Sequence, residues 1–331
     1  MRPDVERWLH RRTSAARDWR SADLLAAKAD HRVSVVLPAL DEEDTVGAIV
    51  TTIARELMGR DGLVDELVVV DSGSTDRTAS RAAAAGATVV HRGDVLPDVA
   101  PLPGKGEVLW RSLAATTGDL LVFVDADLRS FDASYVTGLL GPLLADRAVS
   151  LVKAVYERPL LQGGAVLPAG GGRVTELVAR PLLNLHWPEL AGVVQPLAGE
   201  YAARRSLLEQ LPFPTGYGVE LALLVDTLEL AGLDAIAQVD LGVREHRHQT
   251  DARLGLMASE IMQVALARLE AAGRIRRRGA LNPTLAQFAR EEGRLVATTH
   301  DVELVERPPM VTVPAYAAAR ASRASRAARA S

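Results

Sequence analysis

Residues 120–127 have the sequence LLVFVDAD, in which five apolar side chains lead directly into a pair of aspartates. An uninterrupted apolar run of this length is typical of a strand that is buried on both faces of a sheet. Ligands of open α/β sheets bind at the carboxyl ends of the strands, which is where Asp125 and Asp127 would lie. The segment therefore predicts a buried parallel strand with an acidic ligand site at its end.

Three similar apolar runs precede this strand, at residues 33–40, 66–70 and 87–90. The segments between the runs have helical patterns opened by acidic or hydroxyl side chains, at residues 44–58, 75–85 and 107–116. Strands that alternate with helices form βαβ units, and these units feed one parallel sheet. We therefore predict an α/β fold with a mostly parallel central sheet of the nucleotide-binding, Rossmann-like kind.

The order loosens after about residue 151, where glycines and prolines interrupt the pattern. Further helices are predicted from residue 174, over 219–229 and over 257–272, with a strand-like run at 235–239. We divide the chain into an N-terminal extension (1–30), a ligand-binding half (31–150), a second half of the same domain (151–314) and a tail (315–331). The tail is almost entirely Ala, Arg and Ser, so we expect it to be disordered.

Composition excludes several classes of protein. The 331 residues carry a formal net charge of −4, which gives no reason to expect nucleic acid as a partner. The absence of cysteine excludes disulfides, thiolate metal sites and thiol nucleophiles, so any metal must bind oxygen and imidazole ligands. No apolar run approaches the roughly 18 residues of a membrane span, and we expect a cytoplasmic protein.

The two aspartates suit a hard divalent cation. Mg²⁺ prefers about six oxygen ligands, usually from one or two carboxylates together with substrate phosphates and water. Asp125 and Asp127 offer such carboxylates at a strand end. The alternative is a polar turn in which Asp127 only caps the next segment.

The two preceding strands end in small and acidic residues at the same edge of the sheet. The first runs into PALDEE at residues 38–43, and the second into DSGSTD at 71–76. Gly73 would let the backbone approach a ligand closely, and Thr75 and Asp76 suit the first turn of a helix. Each loop alone could be a simple helix cap, but together they predict a nucleoside pocket.

Two glycine-containing segments suit anions. Lys105 lies in PGKG at residues 103–106, just before a predicted helix whose positive end would attract phosphate, although the spacing is not that of a P-loop. In GGGRVTE at residues 170–176, bare amides, a guanidinium and a hydroxyl open another helix. Either segment could instead be a structural turn with a solvated side chain.

A basic cluster follows the strand-like run at 235–239, in the sequence LGVREHRH at residues 241–248. His246 could be an imidazole metal ligand, and Arg244 could bind phosphate. A surface position for the histidine is the alternative.

Eight segments of the chain together resemble the glucosyl-3-phosphoglycerate synthases, which are retaining glycosyltransferases of actinobacteria. The segments are VSVVLPALDEE (33–43), VDELVVVDSGSTD (64–76), PGKGEVLWRSLAATTGD (103–119), GGGRVTELVARPLL (170–183), QPLAGEYAA (195–203), GYGVELALLVDT (216–227), GLDAIAQVDLGVREHR (232–247) and VERPPM (305–310). The resemblance spans roughly residues 26–310.

The resemblance implies a GT-A fold and the transfer of glucose from UDP-glucose, or another nucleotide donor, to the 2-hydroxyl of 3-phosphoglycerate. The product would serve methylglucose lipopolysaccharide or glucosylglycerate synthesis, the cofactor would be Mg²⁺ or Mn²⁺, and the assembly a homodimer. By matching position, the donor would contact Pro38, Ala39, Leu40, Glu42, Ser72, Gly73, Lys105, Asp125, Ala126 and Tyr217. The metal would bind Asp127 and His246, and the acceptor Gly172, Arg173, Thr175 and His248. Glu220, Arg244 and the backbone of Leu197 would lie around the reacting carbon.

Retention of configuration permits either a covalent glycosyl-enzyme or departure and attack on one face of the sugar. No residue of this sequence stands out as a nucleophile, so we favour the one-face route, with Glu220 orienting the sugar. Three alternatives stay open. These are a mannosyl-3-phosphoglycerate synthase that uses GDP-mannose, a nucleotidylyltransferase, which would need a Gly-rich signature after the first strand, and a non-catalytic sugar-nucleotide-binding module.

Overall fold

The computed structural model describes residues 1–59, 62–157, 160–162, 165–167, 172–243 and 250–330. Fourteen strands are found there: β1 (Thr13–Ala15), β2 (Val33–Ala39), β3 (Glu66–Asp71), β4 (Thr88–His91), β5 (Leu120–Phe123), β6 (Leu151–Glu157), β7 (Leu160–Gln162), β8 (Ala165–Leu167), β9 (Tyr201–Arg204), β10 (Phe213–Pro214), β11 (Ile236–Val243), β12 (Thr284–Glu291), β13 (Arg294–Asp301) and β14 (Glu306–Arg307). The α-helices in the same ranges are α1 (Pro3–Arg12), α2 (Ser21–Lys28), α3 (Val46–Leu57), α4 (Thr78–Ala84), α5 (Lys105–Ala115), α6 (Ser134–Ala145), α7 (Arg180–His186), α8 (Arg205–Leu208), α9 (Val219–Ala231), α10 (Asp251–Ala271) and α11 (Pro314–Ala330).

Eight strands of the described chain form the central sheet, in the order β1-β11-β6-β9-β5-β2-β3-β4. Seven of them run in one direction, and β9 is antiparallel to both of its neighbours. The carboxyl ends of β2, β3 and β5 therefore meet at one edge, together with the amino end of β9. The predicted α/β fold with a mostly parallel sheet is confirmed.

The sheet is buried on both faces. Val33, Val35 and Leu37 of β2 face one apolar cluster, and Val36 faces the other, so alternate side chains enter opposite layers. Both sets are fully buried. Burial on two faces explains why the parallel strands appear in the sequence as continuous apolar runs.

The N-terminal extension is part of this domain. β1 adds to the edge of the sheet by pairing with β11, in the register Thr13 opposite Gln238. Trp8 is only 1% exposed, and its indole N–H donates to the Ile236 carbonyl oxygen at 2.9 Å. The boundary drawn at residue 30 therefore separates no folded unit.

The prediction of a disordered tail is wrong for the residues described. Residues from Pro314 form α11, and Tyr316 in its first turn is buried. The Tyr316 hydroxyl donates to Glu209 at 3.1 Å and accepts from Arg205 at 3.3 Å, and Arg320 forms an ion pair with Glu209. One aromatic anchor and its polar partners order a segment whose composition alone indicates disorder.

The hairpin of β12 and β13 was not predicted. Its strands pair from Thr284 opposite Asp301 to Glu291 opposite Arg294, and most of its side chains are exposed. An exposed hairpin leaves little hydrophobic pattern in the sequence.

No helix among the described residues combines the length and the apolar character needed to cross a membrane.

Candidate functional site

The candidate site lies at the carboxyl ends of β2, β3 and β5, where hydrogen bonds connect two loops. We call these loops, residues 39–45 and 71–78, the donor wall. Backbone N–H groups of the first loop donate to side chains of the second: Asp41 to Ser74 (3.0 Å), Glu42 to Thr78 (2.7 Å) and Glu43 to Asp76 (3.1 Å). Polar backbone groups that are already bonded within the wall fix its shape before any ligand binds.

Asp71, the last residue of β3, organises the turn that follows it. Its buried carboxylate accepts from the backbone N–H of Gly73 at 3.1 Å and from the hydroxyl of Ser74 at 2.5 Å. Gly73 has a φ of +98°, and a Cβ there would only reach the His91 ring at 3.7 Å. Glycine is therefore required at residue 73 by backbone conformation, and the neighbouring side chains leave open space for a ligand.

The predicted nucleoside residues lie along this wall with different exposures. Ala39 is buried, Pro38 and Glu42 are half-buried, and Leu40 is 54% exposed. A large apolar side chain that stays in solvent beside a polar loop can pack against a flat ligand. The structure thus brings together, at the carboxyl ends of β2 and β3, the six residues Pro38, Ala39, Leu40, Glu42, Ser72 and Gly73.

Lys105 lies in an ion-pair cluster beside the donor wall. Its Nζ is 2.7 Å from Asp125 Oδ1 and 3.1 Å from Glu220 Oε1. Two glycines bring it there, because a Cβ on Gly104 or Gly106 would overlap the carbonyl oxygens of β10 and its following residue. The lysine is thus the first residue of α5, packed tightly against β10 at the base of the site.

The cluster keeps Lys105 positively charged. Burial lowers the pKa of its ammonium group, but the carboxylates of Asp125 and Glu220 outweigh this and hold the pKa well above its usual value. Gly199 closes the other side, since a Cβ there would overlap both Asp125 and Lys105. The sequence predicts separate roles for Lys105, Asp125 and Glu220, whereas the fold joins them in one charged group.

Asp125 and Asp127 lie in the turn after β5. Asp125 pairs with Lys105, and half-buried Asp127 follows two residues later. The carbonyl oxygen of Ala126, between them, accepts from the Thr45 hydroxyl at 2.6 Å, which ties this turn to the donor wall. In the part of the chain that the structure describes, no three His, Cys, Asp or Glu side chains are grouped to hold a metal.

The carboxylates in the turn after β5 fit Mg²⁺ or Mn²⁺. Such ions take one or two protein carboxylates and leave further positions to phosphate oxygens and water. The second predicted metal ligand, His246, lies outside the described residues, as do Arg244 and His248.

A second wall begins at Gly172, and we call residues 172–175 with Asp251 the acceptor wall. Gly172 has a φ of +85°, and Arg173 precedes a π-helix over Thr175–Ala179. The Arg173 guanidinium forms an ion pair with Asp251, the first residue of α10, and both side chains are exposed, at 42% and 88%. The predicted Gly172, Arg173 and Thr175 are thus adjacent in the structure, with Thr175 buried behind them.

Tyr217 precedes α9, and its backbone N–H donates to Glu260 Oε2 at 2.5 Å. A Cβ on Gly216 would overlap that carboxylate, so glycine is needed for this contact. The Tyr217 hydroxyl accepts from Arg253 at 3.3 Å.

Leu197 lies half-buried in the turn before β9, close in sequence to Gly199, which contacts the Lys105 cluster.

One charged residue of the site was missed. Lys153, in the middle of β6, is 1% exposed, and its Nζ donates to the Ala198 carbonyl oxygen at 2.6 Å. Composition carries a signal that could have found it, since the chain has 35 arginines but only three lysines, Lys28, Lys105 and Lys153. Two of the three lie at this site.

The comparisons with known proteins agree with the geometry. Residues 34–163 match the model of the glycosyl transferase family 2. The chain is 53% identical over 307 residues to the glucosyl-3-phosphoglycerate synthase of Mycolicibacterium smegmatis, covering 93% of this chain and 98% of that protein.

Solved structures of the Mycobacterium tuberculosis glucosyl-3-phosphoglycerate synthase are also similar. Its complex with Mn²⁺, UDP-glucose and phosphoglyceric acid has a TM-score of 0.78 at 50% identity, covering 88% of this chain and 94% of that one. Its complex with Mg²⁺ and UDP has a TM-score of 0.79 at 49% identity, covering 90% and 97%. This chain belongs to the glucosyl-3-phosphoglycerate synthase family, and its donor wall lies within a glycosyl transferase family 2 domain.

Proposed function

We propose that this chain transfers glucose from UDP-glucose to the 2-hydroxyl of 3-phosphoglycerate, with retention at the anomeric carbon and with Mg²⁺ or Mn²⁺. The observation that carries the proposal is the match, at 50% identity over 88% of the chain, to a solved structure that holds Mn²⁺, UDP-glucose and phosphoglyceric acid. The geometry supports it, since a hydrogen-bonded polar wall and a charged cluster lie at the carboxyl ends of the parallel strands, and a second segment presents an exposed arginine.

The donor wall would hold the nucleoside. Its internal hydrogen bonds orient the backbone at Ser72 and Gly73 in advance, and exposed Leu40 offers an apolar face to the base. Lys105, Asp125, Ala126 and Tyr217 would line the diphosphate, ribose and glucose side of the same ligand. Preorganisation of this kind raises affinity because less conformational freedom is lost on binding.

Asp127 and His246 would hold the divalent cation, which when bound neutralises charge on the diphosphate. Arg244 would add a guanidinium to the same leaving group. Asp127 is described at the end of β5, while the two basic residues lie outside the described ranges.

Arg173 would bind the anionic groups of 3-phosphoglycerate, with Gly172, Thr175 and His248 beside it. Its pair with Asp251 is exposed, and exposed ion pairs are worth only about 0–1 kcal/mol. A phosphate or carboxylate of the acceptor can therefore replace Asp251 at small cost.

Glu220 would orient the sugar without attacking it. Its carboxylate is 3.1 Å from the Lys105 ammonium, and a salt-bridged carboxylate is a weaker nucleophile than an unpaired one. This pairing supports departure of the diphosphate and attack of the acceptor on one face of the sugar, with the backbone of Leu197 beside the reacting carbon. We further propose a cytoplasmic location and a homodimer.

A donor panel tests the proposal. Purified protein is incubated with 3-phosphoglycerate, Mn²⁺ and either UDP-glucose, GDP-glucose or GDP-mannose, and the products are identified by mass spectrometry and anomeric NMR. We expect an α-linked glucosyl product that forms fastest from UDP-glucose and disappears on chelation. Faster transfer of mannose from GDP-mannose would reassign the donor, and no transfer from any donor would contradict catalysis.

A further inference from the structure

Lys153 is a charged side chain enclosed in the centre of the sheet. β6 pairs with β11 on one side and with β9 on the other, and Lys153 is in register with Tyr201 of β9. Burial of an ammonium group costs several kcal/mol unless nearby groups stabilise it. Such a residue in a strand interior therefore needs partners, and the partners show which segment the residue holds.

Its contacts point to the turn before β9. Lys153 Nζ donates to Ala198 O at 2.6 Å and lies 5.2 Å from the centroid of the Tyr201 ring. The neighbouring backbone N–H of Ala154 donates to the Glu200 carbonyl oxygen at 3.1 Å. β6 thus makes two hydrogen bonds to residues 198–200, one from its main chain and one from the Lys153 side chain.

The other side of this turn contacts the donor site. Gly199, between the two held carbonyls, leaves no room for a Cβ against Asp125 and Lys105. A shift of the turn would therefore displace the Lys105 cluster as well as Leu197, which directly precedes Ala198.

We propose that Lys153 is a positioning residue for glucosyl transfer, whose ammonium group holds the Ala198 carbonyl and thereby fixes the Leu197–Gly199 backbone against the reacting sugar. The inference rests on the proposed function, which places the Leu197 backbone beside the reacting carbon. Lys153 itself touches neither substrate in this account, and acts through the turn.

Four charged groups act electrostatically on Lys153 from the elements around it: Glu220 of α9, Lys105 of α5, Glu200 before β9 and Asp125 after β5. The Tyr201 ring of β9 faces it as well. Burial lowers the pKa of Lys153 to about 8, against the raising effect of the Glu220 carboxylate. The ammonium form, which can donate to Ala198 while carrying charge, is therefore the main form below pH 8.

The first test replaces the ammonium with a side chain of similar shape, in Lys153→Met. A misplacement near the reacting atoms costs about 100-fold in rate, so we expect kcat to fall by about that factor. The affinity for UDP in the presence of Mn²⁺, measured by calorimetry, should fall by far less than kcat, because the donor wall is untouched and only the Lys105 cluster beside it shifts.

Lys28→Met is the matched control. Lys28 is also buried, donates to the Gly62 carbonyl at 3.1 Å and pairs with Asp65 at 2.9 Å, but none of these contacts involves either wall or the Lys105 cluster. It should lose stability and keep its kcat. A kcat for Lys153→Met equal to that of the Lys28 control would overturn the proposal, and so would a loss of UDP affinity as large as the loss of kcat.

The pH profile gives a second readout that does not depend on the methionine variant folding. Wild-type kcat should decline above pH about 8, as Lys153 loses its proton. In Lys153→Arg the cation persists to pH values above 12, so the decline should move upward by at least about one pH unit. The same alkaline limb in both proteins would contradict the proposal, and a wild type without glucosyl transfer would overturn it together with the proposed function.

Discussion

The donor wall and the acceptor wall are held by different kinds of interaction. Across the donor wall, backbone N–H groups of residues 41–43 donate to side chains of the facing loop, and buried Asp71 fixes the turn at Gly73. In the acceptor wall, the described contact of Arg173 with a side chain is an exposed ion pair with Asp251. Neutral and charge-assisted hydrogen bonds in a closed loop persist in water, whereas an exposed ion pair is readily exchanged.

The difference fits the division of roles that we propose. The donor wall would have its binding geometry before a nucleotide arrives, and in the acceptor wall an anion would replace Asp251 beside the Arg173 guanidinium. The cluster of Lys105, Asp125 and Glu220 lies beside the donor wall and is coupled through Gly199 to the turn that Lys153 holds. Substitutions in each region should therefore change different measured quantities.

The largest effect is expected at Asp127, which would serve both ligands through the metal. A bound cation contributes several kcal/mol of charge stabilisation, so Asp127→Ala should lower kcat by about 1000-fold or more. Turnover is measured over a Mn²⁺ titration, with circular dichroism to check the fold. Normal transfer by this variant in chelated buffer would refute the metal site.

The next effect concerns the acceptor wall. A charge-assisted hydrogen bond is worth roughly 1.5–3 kcal/mol, so Arg173→Ala should weaken 3-phosphoglycerate binding by about 10- to 100-fold. UDP binding should barely change. The matched variant Asp251→Ala removes the competing carboxylate, and it should leave acceptor affinity equal or higher. Weaker acceptor binding in Asp251→Ala would show that the exposed ion pair builds the site.

A smaller effect is expected in the donor wall. Gly73 has a φ of +98°, a conformation that costs a non-glycine residue roughly 1–2 kcal/mol, so Gly73→Ala should raise the KM for UDP-glucose by about tenfold. Gly232→Ala is the control, because that glycine also has a positive φ, +80°, with open space around it, but lies at the end of α9. Both variants should lose similar thermal stability. An equal rise of donor KM in both would mean that Gly73 acts through global stability.

The smallest functional effect is expected at the C-terminal tail, which contributes to neither wall. Truncation after Pro314 removes the buried Tyr316 and its bonds to Arg205 and Glu209, so the Tm should fall by a few degrees while kcat and both affinities stay unchanged. A chain that ends after Ala321 keeps these contacts and should keep the wild-type Tm. A change of kcat in either truncation would place the tail near the site.

The strands of the central sheet can be predicted from the sequence where burial imposes a hydrophobic pattern. The strands of the first half are covered on both faces, so residues such as 120–123 are continuously apolar, and their carboxyl ends locate the two acidic loops. The sequence pattern does not predict the structure of the two terminal segments, because a single aromatic residue orders each of them. Tyr316 orders a tail of otherwise small and basic residues, and Trp8 joins the N-terminal segment to the sheet.

The cluster of Lys105, Asp125 and Glu220 cannot be predicted from the sequence pattern either, for a different reason. Lys105 and Glu220 lie far apart in the chain, and the packing of both α5 and α9 against β10 brings them to 3.1 Å. Lys153 stands in an apolar strand, where a hydrophobic pattern gives no information about a buried ion. The rarity of lysine in the chain is the sequence signal that points to Lys105 and Lys153, but it does not give their partners.

The most direct test of this account is a paired titration of Gly73→Ala and Arg173→Ala by calorimetry, each with UDP in Mn²⁺ and then with 3-phosphoglycerate in the presence of UDP and Mn²⁺. The account predicts that Gly73→Ala loses UDP affinity and, once saturated with UDP, binds 3-phosphoglycerate as the wild type does. Arg173→Ala should show the reverse, with normal UDP affinity and weakened acceptor binding. Equal losses of both ligands in both variants would contradict two separately built walls.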